Sequence, residues 1–187
     1  MRKCDFFISK CLVASVCFFT ASFAPAVYAA QSWTVVGWVE NVGLENTDIQ
    51  MKARIDTGAG LASINANIVK IKKNEKGERV VFRVIDKDGQ SRVLERDIVK
   101  WVNIKKKGAS GTTRRPVVYM DFCIAGEKIR ERVNLADRSD YLYPLLIGRN
   151  VLRAGRFLID PGHRYLNEPD CGKGKEEKIF NKPKIVS

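Results

Sequence analysis

Beyond Ala30 the chain is written in short runs in which apolar and polar residues alternate, each run closed by a turn signal. Alternation with period two puts every second side chain on one face of a strand, so this chain should fold mostly as β-sheet. Trp33 to Val39 is the first such run and Met51 to Asp56 the second. Arg79 to Ile85 and Arg92 to Asp97 flank Asp86-Lys87-Asp88-Gly89, whose Asp-Gly pair predicts a hairpin. Lys100 to Ile104 continues the sheet. Pro116 to Ile124 and Lys128 to Leu135 flank Ala125-Gly126-Glu127, a second hairpin, and Leu142 to Ile147 and Arg156 to Ile159 complete the strands. Between the last two, Gly148 to Gly155 is the candidate for one short helix near the C-terminal end, closed by a glycine.

Residues 1–30 are of another kind. Arg2, Lys3 and Lys10 precede an apolar run from Cys11 to Phe19, and small residues follow at Val27-Tyr28-Ala29-Ala30. This is the make-up of a secretory signal peptide cleaved near Ala29 or Ala30, which would deliver the protein to the periplasm or outside the cell. The apolar run falls short of the ~20 residues that span a bilayer. Residues 31–166 suit one compact domain. Residues 167–187, rich in Lys, Glu, Gly, Asn and Pro, are expected to form a flexible polar tail.

The chain carries 33 Lys and Arg against 21 Asp and Glu, a formal net charge of +12. Three basic residues and Asp5 place +2 of this in residues 1–30, which leaves +10 on the remainder. That balance favours acidic partners, and export argues against nucleic acid. Three of the five cysteines also fall within residues 1–30, so Cys123 and Cys171 would remain in an oxidising compartment. Either they pair and tie down the C-terminal end, or Cys123 is buried and Cys171 is loose. His163 is the one histidine and there is no Cys-x-x-Cys pair, so no metal site is expected. Nor is there a Gly-x-x-x-x-Gly-Lys-Ser/Thr loop for ATP.

The stretch Met51-Lys52-Ala53-Arg54-Ile55-Asp56-Thr57-Gly58-Ala59 carries the chemistry. A carboxylate at a strand end, followed by a small hydroxyl residue and a glycine, can be held by backbone N–H groups at a tight turn and aimed into a cleft. Asp-Thr-Gly is the triplet that bears the catalytic carboxylate of aspartic peptidases, and it occurs here once. A paired-carboxylate site would therefore need a second copy from another chain. Alone, the triplet is equally an ordinary polar turn.

Further along stands Leu145-Leu146-Ile147-Gly148-Arg149-Asn150-Val151-Leu152. In this order the two motifs resemble the retropepsins. The resemblance implies a closed β-barrel of acid-protease topology acting as a homodimer. Asp56 would be catalytic, with Thr57, Gly58 and Ala59 supporting its loop; Ile147, Gly148 and Arg149 would form the strand beneath and open the helix. Thr57 would brace the two loops through its hydroxyl. In retropepsins the arginine of the second motif pairs with an acid four positions after the catalytic aspartate. That position is Gly60 here, so Asp137 or Asp160 is its expected partner. Asp160, at a strand-to-turn junction, is also a candidate to pair with Asp56 within one chain.

A closer resemblance is to the bacterial retropepsin-like proteins known as ATP-dependent zinc proteases and associated with RimK-type ATP-grasp ligases. It rests on Val36-Gly37-Trp38, on Lys52 to Ala59, and on Ser110-Gly111 ahead of Arg115-Pro116-Val117-Val118. Asp137-Arg138, Gly148-Arg149 and Phe157 to Gly162 complete the set, which spans Trp33 to Leu166. It implies an envelope partner related to ATP-grasp ligases or transglutaminase-like proteins. The zinc and ATP of that family's name find no ligand set in these residues.

From Ile98 to Met120 the chain holds Lys100, Lys105, Lys106, Lys107, Arg114 and Arg115 and no acid, around the flexible centre Gly108-Ala109-Ser110-Gly111. In a retropepsin-like molecule, a hairpin over the cleft closes on substrate and excludes water. A basic flap would favour an acidic peptide, with Lys105, Lys106, Lys107, Ser110, Gly111, Arg114 and Arg115 as candidate contacts. The alternative is a solvated Lys-rich loop. Trp33, Trp38, Trp101, Phe82, Phe122 and Phe157 read as core or strand-face residues, and His163 as a turn residue. Two functions follow: an exported aspartic endopeptidase acting on peptide or protein, or a non-catalytic peptide- or partner-binding module of the same fold in the cell envelope.

Overall fold

A computed structural model describes residues 32–44, 47–75, 77–105 and 111–171. The expected signal, Lys106, Lys107, Ser110 and residues 172–187 of the tail lie outside the described residues. The elements in chain order are β1 (Thr34–Gly37), β2 (Val39–Leu44), β3 (Gln50–Ile55), β4 (Ala62–Asn65), β5 (Asn67–Asn74) and β6 (Gly77–Ile85). Then come β7 (Ser91–Asp97), β8 (Lys100–Lys105), β9 (Thr112–Ile124), β10 (Glu127–Ala136), β11 (Leu145–Ile147), α1 (Arg149–Ala154) and β12 (Phe157–Asp160). Among the described residues the chain is mostly β, with one short helix.

One sheet runs β10-β4-β11-β3-β2-β9-β8, and the β9–β10 hairpin joins its members again, so β10, β4, β11, β3, β2 and β9 form a ring of pairings. Two of its pairings are parallel: β11 on β3, with Ile147 opposite Ile55, and β10 on β4, with Val133 opposite Ala62. The β1–β12 pair is also parallel. A separate sheet, β5-β6-β7, is a meander. Inside lies a single apolar cluster that includes Leu44, Met51, Ile55, Ile64, Phe82, Met120, Phe122 and Ile147. Phe82 and Phe122 are wholly buried, each contributing about 2–3 kcal/mol relative to exposure.

The alternation in β3 works as the sequence suggests: Met51, Ala53 and Ile55 point into the core while Lys52 and Arg54 face solvent. Both hairpins form. Asp86 Oδ1 accepts the N–H groups of Asp88 and Gln90, and Gly89 takes φ +80°. Ala125 and Gly126 both have positive φ, the conformation that matches the strand twist in a two-residue turn.

Three features differ from expectation. The single strand from Trp33 to Val39 is broken at Trp38: β1 leaves to pair with β12, and β2 continues to Leu44. Close packing accompanies the break, because a Cβ on Gly37 would lie 2.6 Å from the His163 carbonyl oxygen. Trp33 is not in the core; it is 57% exposed, with the Arg156 guanidinium 5.6 Å from its ring. Finally, the glycine closing α1 is there for space rather than for a left-handed turn. Gly155 has φ −84°, whereas a Cβ on it would lie 2.3 Å from the Phe157 ring.

The end of the domain is strapped down. Tyr165 N–H bonds the Val39 carbonyl, and the N–H groups of Leu166 and Asn167 reach the Glu40 carboxylate. Cys171 pairs with Cys123, with their Cα atoms 5.8 Å apart. The tail expected from residue 167 is thus tied as far as Cys171. Closing a loop of 48 residues contributes on the order of 4 kcal/mol in the chain-entropy account.

Candidate active site

Asp56 stands where β3 ends, on the solvent face it shares with Lys52 and Arg54. Its backbone is fixed from below: Ile55 N–H bonds the Trp38 carbonyl at 2.9 Å, and Asp56 N–H bonds the Ile147 carbonyl at 2.9 Å. Its side chain closes an Asx turn, in which Oδ1 accepts Gly58 N–H at 2.8 Å and Ala59 N–H at 3.2 Å. No described residue bonds Oδ2, nor the hydroxyl of exposed Thr57. A Cβ on Gly58 would lie 3.1 Å from Oδ1, so a side chain there would crowd the carboxylate.

The second motif lies against this loop. A Cβ on Gly148 would lie 2.8 Å from the Leu61 carbonyl carbon and 3.0 Å from the Ala59 oxygen, so a larger residue would push the two segments apart. Arg149 N–H bonds the Ala59 carbonyl at 2.9 Å. Its Nη1 donates to the carbonyls of Thr57 at 2.7 Å and Gly58 at 2.9 Å. This corrects the expectation of a carboxylate partner at Asp137 or Asp160. With glycine at position 60 the guanidinium clamps the loop's own carbonyls, and Gly60 leaves its Nη2 space, a Cβ there being 3.6 Å away. Sequence reasoning passed over Asn150. Buried behind the loop, it accepts Ala62 N–H at 3.0 Å and donates to the Arg132 carbonyl at 2.8 Å, stitching α1 to β4 and β10. Its one sequence signal is its place directly after Gly148-Arg149.

A carboxylate loop at a strand end, floored by an Ile-Gly-Arg turn from a distant part of the chain, agrees with a family comparison. The model of the RimB-like family, described as retropepsin-like aspartic endopeptidase RimB, matches residues 35–170. The chain belongs to this family. Among solved structures, the Legionella pneumophila protein Lpg0085, of unknown function (DUF785), is 28% identical. The match covers 73% of this chain and 100% of that one, with a TM-score of 0.63. The protease of simian foamy virus is more distant, at 16% identity and a TM-score of 0.36 over 62% of this chain and 91% of that one. No curated protein matches.

In this RimB-like chain the other candidate residues are distributed unevenly. Lys105 ends β8, and Gly111, Arg114 and Arg115 lie at or in the start of β9, so the described parts of the basic stretch are two antiparallel strands, with Lys105 opposite Thr112. The Arg114 guanidinium sits 4.3 Å from the Trp101 ring centre. Asp160 has both oxygens engaged: Oδ1 takes Gly162 N–H and Oδ2 the His163 ring, both at 2.8 Å. These bonds hold its carboxyl below the usual carboxylate range, the Gly162 N–H first. Asp137 is likewise lowered, chiefly by the Ser139 hydroxyl at 2.7 Å. Among the described residues no group of three or more His, Cys, Asp or Glu is arranged to hold a metal.

Arg138 is another residue whose role the family motif did not reveal. It is 8% exposed, and its side chain is held by the Tyr143 carbonyl at 3.4 Å and by the Tyr141 ring at 4.5 Å rather than by a carboxylate. Burial pulls its guanidinium below the usual arginine range; the nearby charge of Asp56 acts in the opposite direction. A buried cation therefore lies within electrostatic reach of the candidate carboxylate.

Proposed function

We propose that the chain is an aspartic endopeptidase in which Asp56 from each of two copies meets its counterpart at a two-fold axis. The observation that carries this reading is the half-used carboxylate of Asp56: Oδ1 is fixed by two backbone N–H groups while Oδ2 is left for a reacting partner. Asp160 is a poor intramolecular partner because both of its oxygens are occupied. Two adjacent carboxylates resist double ionisation and share one proton. The ionised member takes a proton from water as the water oxygen bonds the peptide carbonyl carbon, and the protonated member gives its proton to the carbonyl oxygen. Collapse of the tetrahedral intermediate breaks the C–N bond as the leaving nitrogen gains a proton. In this reading the ring of strands is the closed barrel of acid proteases, Thr57 braces the partner's loop and the β8–β9 hairpin is the flap.

The basic surroundings of Asp56 favour acidic peptides, and the Cys123–Cys171 bridge supports export to an oxidising compartment. A non-catalytic binding module of the same fold is the second reading, favoured by the cluster of arginines near the loop. Cleavage of a diverse peptide pool from pH 3 to 8 separates the two. Cleavage that survives a chelator and disappears in Asp56→Asn supports the peptidase; none from a folded dimer, at any pH, overturns it.

A further inference from the structure

The small sheet of β1 and β12 has one face turned to the core and one turned to water. Val36 and Phe157 are buried, whereas Val35 and Leu158, direct partners across the pair, are 47% and 50% exposed. Trp33, two residues before Val35 and so on the same side, extends this exposed apolar face. The strap sets exposed Leu166 beside it, because the Asn167 side chain bonds the Val35 carbonyl at 2.8 Å. Arginines border the patch: the Arg156 guanidinium lies 5.6 Å from the Trp33 ring, and that of Arg164 5.9 Å from the Tyr165 ring. Arg156 and Tyr165 both take φ +55°, a left-handed conformation that glycine would adopt at less cost, and such strain gathers where the side chains it places are used. Asp160, which follows Leu158 on the outer face, is engaged by Gly162 N–H and the His163 ring and does not neutralise these arginines.

We propose that this patch docks on the surface of an anionic phospholipid bilayer, with Trp33, Val35, Leu158 and Leu166 entering the headgroup boundary and Arg156 and Arg164 meeting lipid phosphates. Indole and aliphatic side chains bordered by guanidinium groups suit that boundary, where one end of a side chain is apolar and the other wet. Charge separates the bilayer from a second copy of this chain as the occupant: a like patch would bring its own arginines, whereas phosphate attracts them. Chain order points the same way. Only residues 20–32 separate the apolar run Cys11 to Phe19 from Trp33. While residues 1–30 remain attached and that run lies in a membrane, Trp33 is the part of the domain held next to it. Nothing in this placement depends on catalysis by Asp56.

Every residue of the apolar core cluster lies beyond residue 31, so residues 31–187 with the disulfide intact serve for the test, and the upstream apolar run cannot bind lipid in their place. Co-sedimentation with vesicles of phosphatidylglycerol and phosphatidylcholine in equal parts is compared with vesicles of phosphatidylcholine alone, at ~0.15 M salt. The anionic vesicles should bind at least ~10-fold tighter. Trp33→Ser and Arg156→Glu should each weaken that binding at least ~5-fold. Leu142→Ser, at an exposed leucine before β11, and Lys73→Glu, the same charge change on the meander, should have little effect. Leu158→Ser repeats the apolar arm should either patch variant fail to fold. Equal binding to the two kinds of vesicle, or equal losses in patch and control variants, overturns the proposal. So does a patch variant that turns a dimer into a monomer in sedimentation velocity while its vesicle binding is unchanged, since the face would then belong to a second copy.

Discussion

Glu40 and Asp56 both accept backbone N–H groups, and they do so in opposite ways. Glu40 is 1% exposed; its Oε1 takes the N–H of Gly37 at 2.6 Å and of Leu166 at 3.2 Å, and its Oε2 that of Asn167 at 3.3 Å. Asp56 has its bonds on one oxygen only and stands at the surface of the loop. A carboxylate saturated by its own chain holds structure together, as Glu40 joins β1, β2 and the C-terminal strap. One that is anchored on one side and open on the other is positioned for chemistry. The number of bonds barely differs between them; what separates them is whether an oxygen is left over.

Substitution should expose the contrast. Asp56→Asn keeps an oxygen acceptor for Gly58 and Ala59, so stability should change by less than ~1 kcal/mol while peptide cleavage falls at least ~10³-fold, read from initial rates on one substrate. Glu40→Ala should do the reverse, costing about 3 kcal/mol in urea unfolding by leaving buried N–H groups unpaired, with kcat of the folded fraction retained. A loss of activity in Glu40→Ala as large as in Asp56→Asn would erase the distinction.

Smaller effects sharpen it. Arg149→Met removes two charge-assisted bonds to the loop carbonyls, and should lower kcat about 10-fold with roughly 1 kcal/mol of stability lost. Arg149→Lys, with one point charge in place of a fork, should restore only part of this. Least of all is the response to acid. Asp48, Glu95, Asp137 and Asp160 all have folded-state pKa values lowered, first by Arg92, Lys72, the Ser139 hydroxyl and Gly162 N–H respectively. Their stabilisation is therefore complete above the ordinary carboxylate range and lost as pH falls below it. The urea midpoint should decline gently on that side, and added salt should flatten the Asp48–Arg92 share.

The loop geometry of the candidate site was largely legible in the sequence, because Asp56-Thr57-Gly58 and Ile147-Gly148-Arg149 are local words whose conformation is nearly self-determined. Their juxtaposition followed from the resemblance, not from spacing. What was illegible depends on partners elsewhere. β2 is buried at every position but Asn41, and β5 is exposed throughout, so neither alternates and neither was foreseen. The role of Glu40 depends on Gly37, Leu166 and Asn167, which only the fold brings around it. The pairing of Cys123 with Cys171 could not be read from separation in sequence, since proximity is set by the strap. Arg149 was expected to find a carboxylate, yet two carbonyls serve, because backbone acceptors are invisible in a sequence of side chains.

The parallel pairing of β11 on β3 brings together segments of the chain 92 residues apart at Thr57 and Arg149. During synthesis, therefore, the Asp56 loop has no floor until the last quarter of the domain has emerged. A nascent chain that stops short of Gly148 carries the triplet but not its clamp. For a molecule of this kind, late completion is a safeguard written into chain order: the carboxylate is set in place only after the strands that surround it have been made.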